Sequence, residues 1–190
     1  MTVKILGGVA RGFPLSLPRS DSTRPTSVLI KRKLFDWRQD LGGHIFIDLC
    51  AGSGAMGFEA LSRGAEKVVL VDAEKGPFLT MKKNRDDLVR AFRFDEKTIQ
   101  VSQSDAKKFL EREISYFGED SILFFDPPYE DHKLYLEGLA ILKAKGFSGE
   151  LWLETDRLKG PPRDQITQAF HSIIKIVEQG DHFVVVGKLL

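Results

Sequence analysis

From His44 onward, short apolar runs alternate with stretches long enough to hold a helix, and that alternation restricts the chain to a sheet covered by helices on both faces. Ile45-Phe46-Ile47, Val68-Val69-Leu70-Val71 and Ser121-Ile122-Leu123-Phe124-Phe125 lack the polar alternation of a half-exposed strand. They suit parallel strands buried on both sides. Further strands are expected near Ile99-Gln100-Val101 and Glu150-Leu151-Trp152-Leu153. Helices are expected at Ala55 to about Arg63 (stopped by Gly64), Pro77 to Leu88, Ala106 to Glu113, Lys133 to Leu142 and Arg163 to Phe170. The last two apolar runs, Ile173 to Val177 and Phe183 to Val186, are joined only by Glu178-Gln179-Gly180-Asp181. Parallel neighbours need a crossover of about a dozen residues, so these two must be antiparallel. The expected fold is a doubly wound α/β, with a seven-stranded, mostly parallel sheet containing one reversed strand.

The first 40 residues read as an extension. Val3 to Leu6, Gly7-Gly8 and Phe13-Pro14-Leu15 suggest a short hairpin; Pro18 to Pro25 is loop; Thr26 or Ser27 can cap a helix reaching about Arg38. Leu29-Ile30, Lys33-Leu34 and Trp37 define its expected apolar stripe. This segment carries eight Lys/Arg against three Asp, while the whole chain is only +1. A basic arm on a mildly acidic body is the footprint of a nucleic-acid contact. Arg11 and Arg24, in loop-like segments beside Gly12 and Pro25, are the best-placed phosphate contacts, with Lys31 on the helix as a further candidate. The expected division is residues 1–40 as RNA-binding extension and 41–190 as catalytic domain, since 190 residues suffice for one well-packed core. The lone Cys50 leaves no internal disulfide and no all-cysteine zinc site. No apolar run reaches the roughly 20 residues of a membrane span, so a cytoplasmic protein without membrane partner is expected.

Asp48-Leu49-Cys50-Ala51-Gly52-Ser53-Gly54-Ala55-Met56-Gly57 follows the first apolar run. Gly52-x-Gly54-x-x-Gly57 matches the dinucleotide fingerprint, and Asp72 ends the next strand where a ribose-binding acid belongs. Asp48, however, sits where a pyrophosphate would rest and would repel it. S-adenosylmethionine has no phosphate and carries an ammonium and a sulfonium, which a nearby carboxylate suits. Asp72 can then accept from both ribose hydroxyls, and Asp105 is placed to meet the adenine amino group. The plainer alternative is that these two acids only cap helices, and it weighs more for Asp105 than for Asp72.

About 70 residues downstream, Asp126-Pro127-Pro128-Tyr129 closes another strand. A purine amine is a poor nucleophile because its lone pair is delocalised into the ring. Asp126 and a carbonyl of the proline pair can accept its hydrogens and expose the lone pair, the prolines fixing φ and removing competing N–H donors. Tyr129 can stack on a base taken out of its helix. The four histidines have no ligand or triad spacing.

These features resemble the class I methyltransferases, and more closely the RsmD family of 16S rRNA guanine-N2 methyltransferases. The likeness rests on Lys4-Ile5-Leu6-Gly7-Gly8 with Arg11-Gly12, on Arg24-Pro25-Thr26 and Leu34-Phe35, on Asp48 through Gly64-Ala65, and on Asp126 to Tyr129. It implies a Rossmann-like domain and S-adenosylmethionine held by Asp48, Ala51, Gly52, Ser53, Gly54, Asp72, Asp105 and Ala106. Catalysis falls to Asp126, Pro127, Pro128 and Tyr129, and the substrate is 16S rRNA or a small-subunit assembly intermediate methylated at a guanine-966 type of site. A monomer is expected. Where the family usually has an Asp-Arg-Val-Arg-Glu-like run, this chain has Val28-Leu29-Ile30-Lys31-Arg32, which bears on the target rather than on the chemistry. Three rivals are weaker, and one of them, a catalytically dead RNA-binding scaffold, would not need both motifs intact. An adenine-N6 DNA methyltransferase generally needs a recognition domain larger than this arm, and an NAD-dependent oxidoreductase leaves Asp126 to Tyr129 unexplained.

Overall fold

The computed structural model describes residues 2–18 and 28–189. Its centre is a seven-stranded sheet of β3 (Ile45–Leu49), β4 (Lys67–Asp72), β5 (Ile99–Gln103), β6 (Ser121–Phe125), β7 (Glu150–Asp156), β8 (Ser172–Gln179) and β9 (His182–Lys188). The spatial order is β5-β4-β3-β6-β7-β9-β8. β9 inserts antiparallel between β7 and β8, so it is the one reversed strand, and the expected doubly wound α/β architecture is present.

The two faces follow from the pleat, which sends successive side chains to opposite sides. Phe46, Val68, Leu70, Ile122, Phe124, Trp152, Val184 and Val186 pack on one side with helices α1 (Val28–Trp37), α2 (Ala55–Ser62) and α3 (Lys75–Phe92). Ile47, Leu49, Val69, Val71, Leu123, Phe125, Leu151, Leu153 and Val185 pack on the other with α4 (Ala106–Glu113), α5 (His132–Ala144) and α6 (Arg163–Thr167). Continuous apolar runs were needed because both faces are buried.

From β3 the chain winds outward to β4 and β5, then returns to place β6 on β3's other side. The carboxyl ends of β3 and β6 therefore meet where the winding reverses, the usual place for a ligand crevice in such sheets. Leu49 and Phe125 are paired there, and the Asp126 amide donates to Leu49 O at 3.4 Å.

The hairpin forms as expected, β1 (Thr2–Lys4) pairing with β2 (Pro14–Ser16). It and α1 are packed on the domain: Ile5, Ala10, Leu15, Ile30, Leu34 and Phe35 are buried in the same core as the sheet. The helix presents a different face from the one the pattern suggested. Ile30, Lys31, Leu34 and Phe35 are inside, whereas Leu29 is half exposed and Lys33 faces solvent. The aromatic cluster of Phe35 with Phe46 and Trp152 sets this rotation on one side of the stripe. On the other, a buried carboxylate draws Lys31 inward. Two helix ends also differ: α6 stops at Thr167 rather than Phe170, and α3 runs on to Phe92, with Pro77 tolerated in its first turn. The Arg24-Pro25-Thr26 run and the proposed cap at Thr26 or Ser27 lie outside the described residues.

Candidate active site

The glycine turn is shaped by backbone angles that few residues adopt. Gly52 (φ 57°) and Gly54 (φ 77°) are left-handed, and Cys50 (φ 66°) joins them at the strand end. Gly54 is the N-cap of α2 and makes no side-chain cap of its own. Gly57 allows α2 to lie directly on β4, since a Cβ there would fall 2.2 Å from Leu70 Cδ2. The helix N-terminus is thus delivered beside the carboxyl end of β3.

Two acids brace this turn. Asp48, 1% exposed, accepts the Gly57 amide on Oδ2 at 3.0 Å. Asp72, ending β4, accepts the Gly52 amide at 2.9 Å on one oxygen and the Glu74 amide at 2.9 Å on the other. Burial pushes the Asp48 carboxyl up to about 8, and Asp126 and Asp72 add to the rise against the opposing Gly57 amide and Lys31. Burial likewise raises the Cys50 thiol, with nearby acids reinforcing it, so Cys50 is a packed thiol and not a nucleophile. Ala51 and Ser53 lie in the turn itself, the Ala51 amide donating to Val71 O at 3.0 Å. Asn84 of α3 ties the turn to the hairpin by donating to both Ser53 O and Ser16 O at 3.0 Å. Asp105 is exposed and N-caps α4 through the Lys108 amide at 3.1 Å, with Ala106 buried behind it. The cap is what its structural partners require of Asp105.

The Asp126-Pro127-Pro128-Tyr129 segment is held from behind. Tyr135, fully buried on α5, places its hydroxyl 3.1 Å from Pro127 O and 3.0 Å from Glu154 O, bridging the segment to β7. Pro128 O accepts the Asp131 amide at 2.8 Å. One lone pair of each proline carbonyl is therefore used within the protein, leaving the second of Pro127 for an incoming donor. Tyr129 donates to Glu154 Oε1 at 3.2 Å, and its ring lies 5.4 Å from that of His182. Glu154 is 0% exposed, and its other oxygen has no hydrogen-bond partner among the described residues. Burial raises its carboxyl well above the ordinary range, with Asp126 next in effect and Asp48 adding to it. Burial is also the main cause raising the hydroxyls of Tyr129 and Tyr135, so both remain protonated donors.

Asp48, Asp72, Asp126 and Glu154 thus converge where β3, β4, β6 and β7 end. A crevice bordered by four carboxyls favours a ligand with cationic groups over a phosphate ester. Glu154 and Tyr135 had escaped attention. The acid directly after Leu151-Trp152-Leu153 was the available signal for Glu154; nothing in the pattern marked Tyr135 among ordinary helical aromatics.

The expected nucleic-acid contacts divide three ways. Arg11 is exposed in the turn after β1. Arg24 lies outside the described residues. Lys31 needs correction, because it is 2% exposed and its ammonium lies 3.1 Å from the buried Glu59 carboxylate, out of reach of any phosphate. Burial lowers its proton affinity, and Glu59 is the main opposing influence.

A family model described as "Conserved hypothetical protein 95" matches residues 3–179. The chain is 34% identical over 137 residues to the YlbH protein of Bacillus subtilis, covering 70% of each chain. It is 28% identical over 173 residues to "Ribosomal RNA small subunit methyltransferase D" of Escherichia coli K12, covering 89% of this chain and 82% of that one. Among solved structures, the yhhF protein of Escherichia coli superposes with a TM-score of 0.75 at 26% identity, covering 98% of this chain and 97% of the other.

Proposed function

Because this chain belongs to the Conserved hypothetical protein 95 family, the RsmD-type methyltransferases, we propose that it transfers a methyl group to the exocyclic N2 of a guanine in 16S rRNA. The methyl donor is S-adenosylmethionine, and the protein is an rRNA methyltransferase. The acids braced on the glycine turn support this reading most strongly: Asp48 and Asp72 present carboxyls where a dinucleotide would need to place phosphates. Among the described residues no group of His, Cys, Asp and Glu has metal-holding geometry, and no helix is long and apolar enough to cross a membrane.

In this reading Asp48 faces the cationic amino-acid end of the cofactor, Asp72 accepts from the ribose, and Ala51 to Gly54 let the backbone approach it. Asp105 and Ala106 border the adenine. The target amine lies between Asp126 and Pro127 O, which accept its two hydrogens and leave the lone pair facing the sulfonium methyl. The nitrogen attacks the methyl carbon as the carbon–sulfur bond breaks. The methylated nitrogen, now cationic, loses a proton to Asp126 or to water, and neutral thioether leaves. Positioning supplies most of the advantage. Tyr129, its hydroxyl held by Glu154, offers a fixed face for the flipped base. The target is a guanine-966 type of site in a small-subunit assembly intermediate, reached by a monomer whose residues 1–40 contact RNA mainly through Arg11 and Arg24.

The test is transfer of labelled methyl from S-adenosylmethionine to purified 16S rRNA, to small-subunit particles lacking the modification and to duplex DNA. Incorporation into the particles is expected. Incorporation only into duplex DNA would favour the adenine-N6 alternative and overturn the reading.

A further inference from the structure

Lys31 is the buried charge that the chemistry above leaves unused. Its ammonium lies 3.1 Å from Glu59 Oε2 and donates to Ala55 O at 3.2 Å. Ala55 is the first residue of α2, directly after the left-handed Gly54 of the glycine turn. Glu59, 0% exposed, collects donors from three more places: the Leu6 amide at 2.7 Å, the Gly7 amide at 2.8 Å and Arg63 Nε at 2.8 Å. Ser62 continues the same seam, accepting the Ala10 amide at 2.9 Å and donating to Gly7 O at 2.6 Å. The first turn of α2 is therefore gripped from two sides, by Asp48 through the Gly57 amide and by Lys31 through the Ala55 carbonyl.

We propose that Lys31 is a positioning residue of the cofactor site: its ammonium fastens the start of α2, and with it the glycine turn, to the N-terminal segment, and supplies the buried positive charge opposite Asp48. The inference rests on the methyltransferase reading of the turn. The charges facing Asp48 make the point. Asp72 from the end of β4, Asp126 beyond β6 and Glu154 from β7 are acids that oppose its ionisation, whereas Lys31 from α1 favours it. Lys31 is itself faced by Glu59 from α2, by Arg63 at that helix's C-cap and by Asp48 from β3. Glu59, 3.1 Å away, favours the charged form of the lysine against its desolvation. A buried lysine lacking such a task is costly, since its desolvation is only partly recovered by one ion pair.

The experiment is calorimetric titration of the full chain with S-adenosylhomocysteine between pH 6 and 9, for wild type, Lys31→Met, Lys31→Arg and Lys33→Met. Lys33 is on the same helix but faces Glu178 and Gln179 at the surface, so its replacement controls for generic damage to α1. Lys31→Met should weaken binding at pH 7.5, because the start of α2 loses its tie to the N-terminal segment, and should move the rise of affinity with pH upward. Lys31→Arg should recover most of both, and Lys33→Met should change neither. If Lys31→Met does not fold by circular dichroism, Lys31→Gln is titrated instead with the same outcomes required. Wild-type affinity and an unmoved pH profile in the neutral variant would overturn the proposal. Failure of the wild type itself to bind at any pH would overturn the cofactor reading instead, so the two are separable.

Discussion

Replacing Tyr135 with Phe removes one oxygen atom and should affect both stability and rate. The Tyr135 hydroxyl hydrogen is shared between Pro127 O and Glu154 O, 3.1 and 3.0 Å away, in a fully buried setting. Removing a buried donor while leaving its acceptors in place costs about 1–2 kcal/mol. For a chain of 190 residues that corresponds to a melting temperature lower by about 2–8 °C. The ring itself, packed 6.3 Å from Phe125, is retained, so no cavity forms. The functional effect should be larger than the thermal one. Tyr135 fixes the carbonyl proposed to accept a target-amine hydrogen, and displacement of that kind by about 1 Å can lower kcat by up to 100-fold. The assays are differential scanning calorimetry and single-turnover methyl transfer at saturating cofactor, with cofactor affinity measured separately and expected to stay within about twofold. A lowered melting temperature with wild-type kcat would show that Tyr135 only stabilises the fold and that the Pro127 carbonyl needs no fixing.

The raised Asp48 carboxyl gives two opposite pH trends. An Asp with a folded pKa of about 8 and an ordinary unfolded value keeps a proton that the unfolded chain has lost, so its contribution to stability falls as pH rises from about 4 to 8. Affinity for the cationic cofactor should rise over about pH 6 to 8 as the carboxylate forms, and Asp48→Asn should flatten both trends in melting and titration experiments. Gly57→Ala should weaken cofactor binding and lower the melting temperature, because the added methyl would lie 2.2 Å from Leu70 Cδ2, so that the buried Leu70 or the start of α2 must shift. Arg11→Ala should leave cofactor affinity unchanged but weaken RNA binding, lowering the slope of log affinity against log salt by about one if Arg11 contacts one phosphate.

Much of the architecture was legible before any coordinates. The continuous apolar runs specified the strands because both sheet faces are buried, and the four-residue link Glu178 to Asp181 forced the reversed strand. The position of β9 between β7 and β8 was not legible, since a short turn fixes direction but not which neighbour is taken. The braced glycine turn and the Asp126 segment were visible because glycines, prolines and acids at strand ends have few structural alternatives. Their supports were not. Lys31 looked like a surface charge because its partner, Glu59, lies 28 residues away on another helix, and no local pattern shows that both are buried. The hairpin and α1 read as an appendage for the same reason: their bonds to Glu59, Ser62 and Asn84 are long-range.

The central claim concerns the chemistry at Asp126, and nucleoside analysis of 16S rRNA after reaction with labelled S-adenosylmethionine tests it most directly. The account predicts labelled N2-methylguanosine at a single position, abolished by Asp126→Ala while the variant's affinity for S-adenosylhomocysteine stays near wild type, since the lost contact is with the reacting amine. Label recovered as N6-methyladenosine, or undiminished N2-methylguanosine from Asp126→Ala, would contradict it.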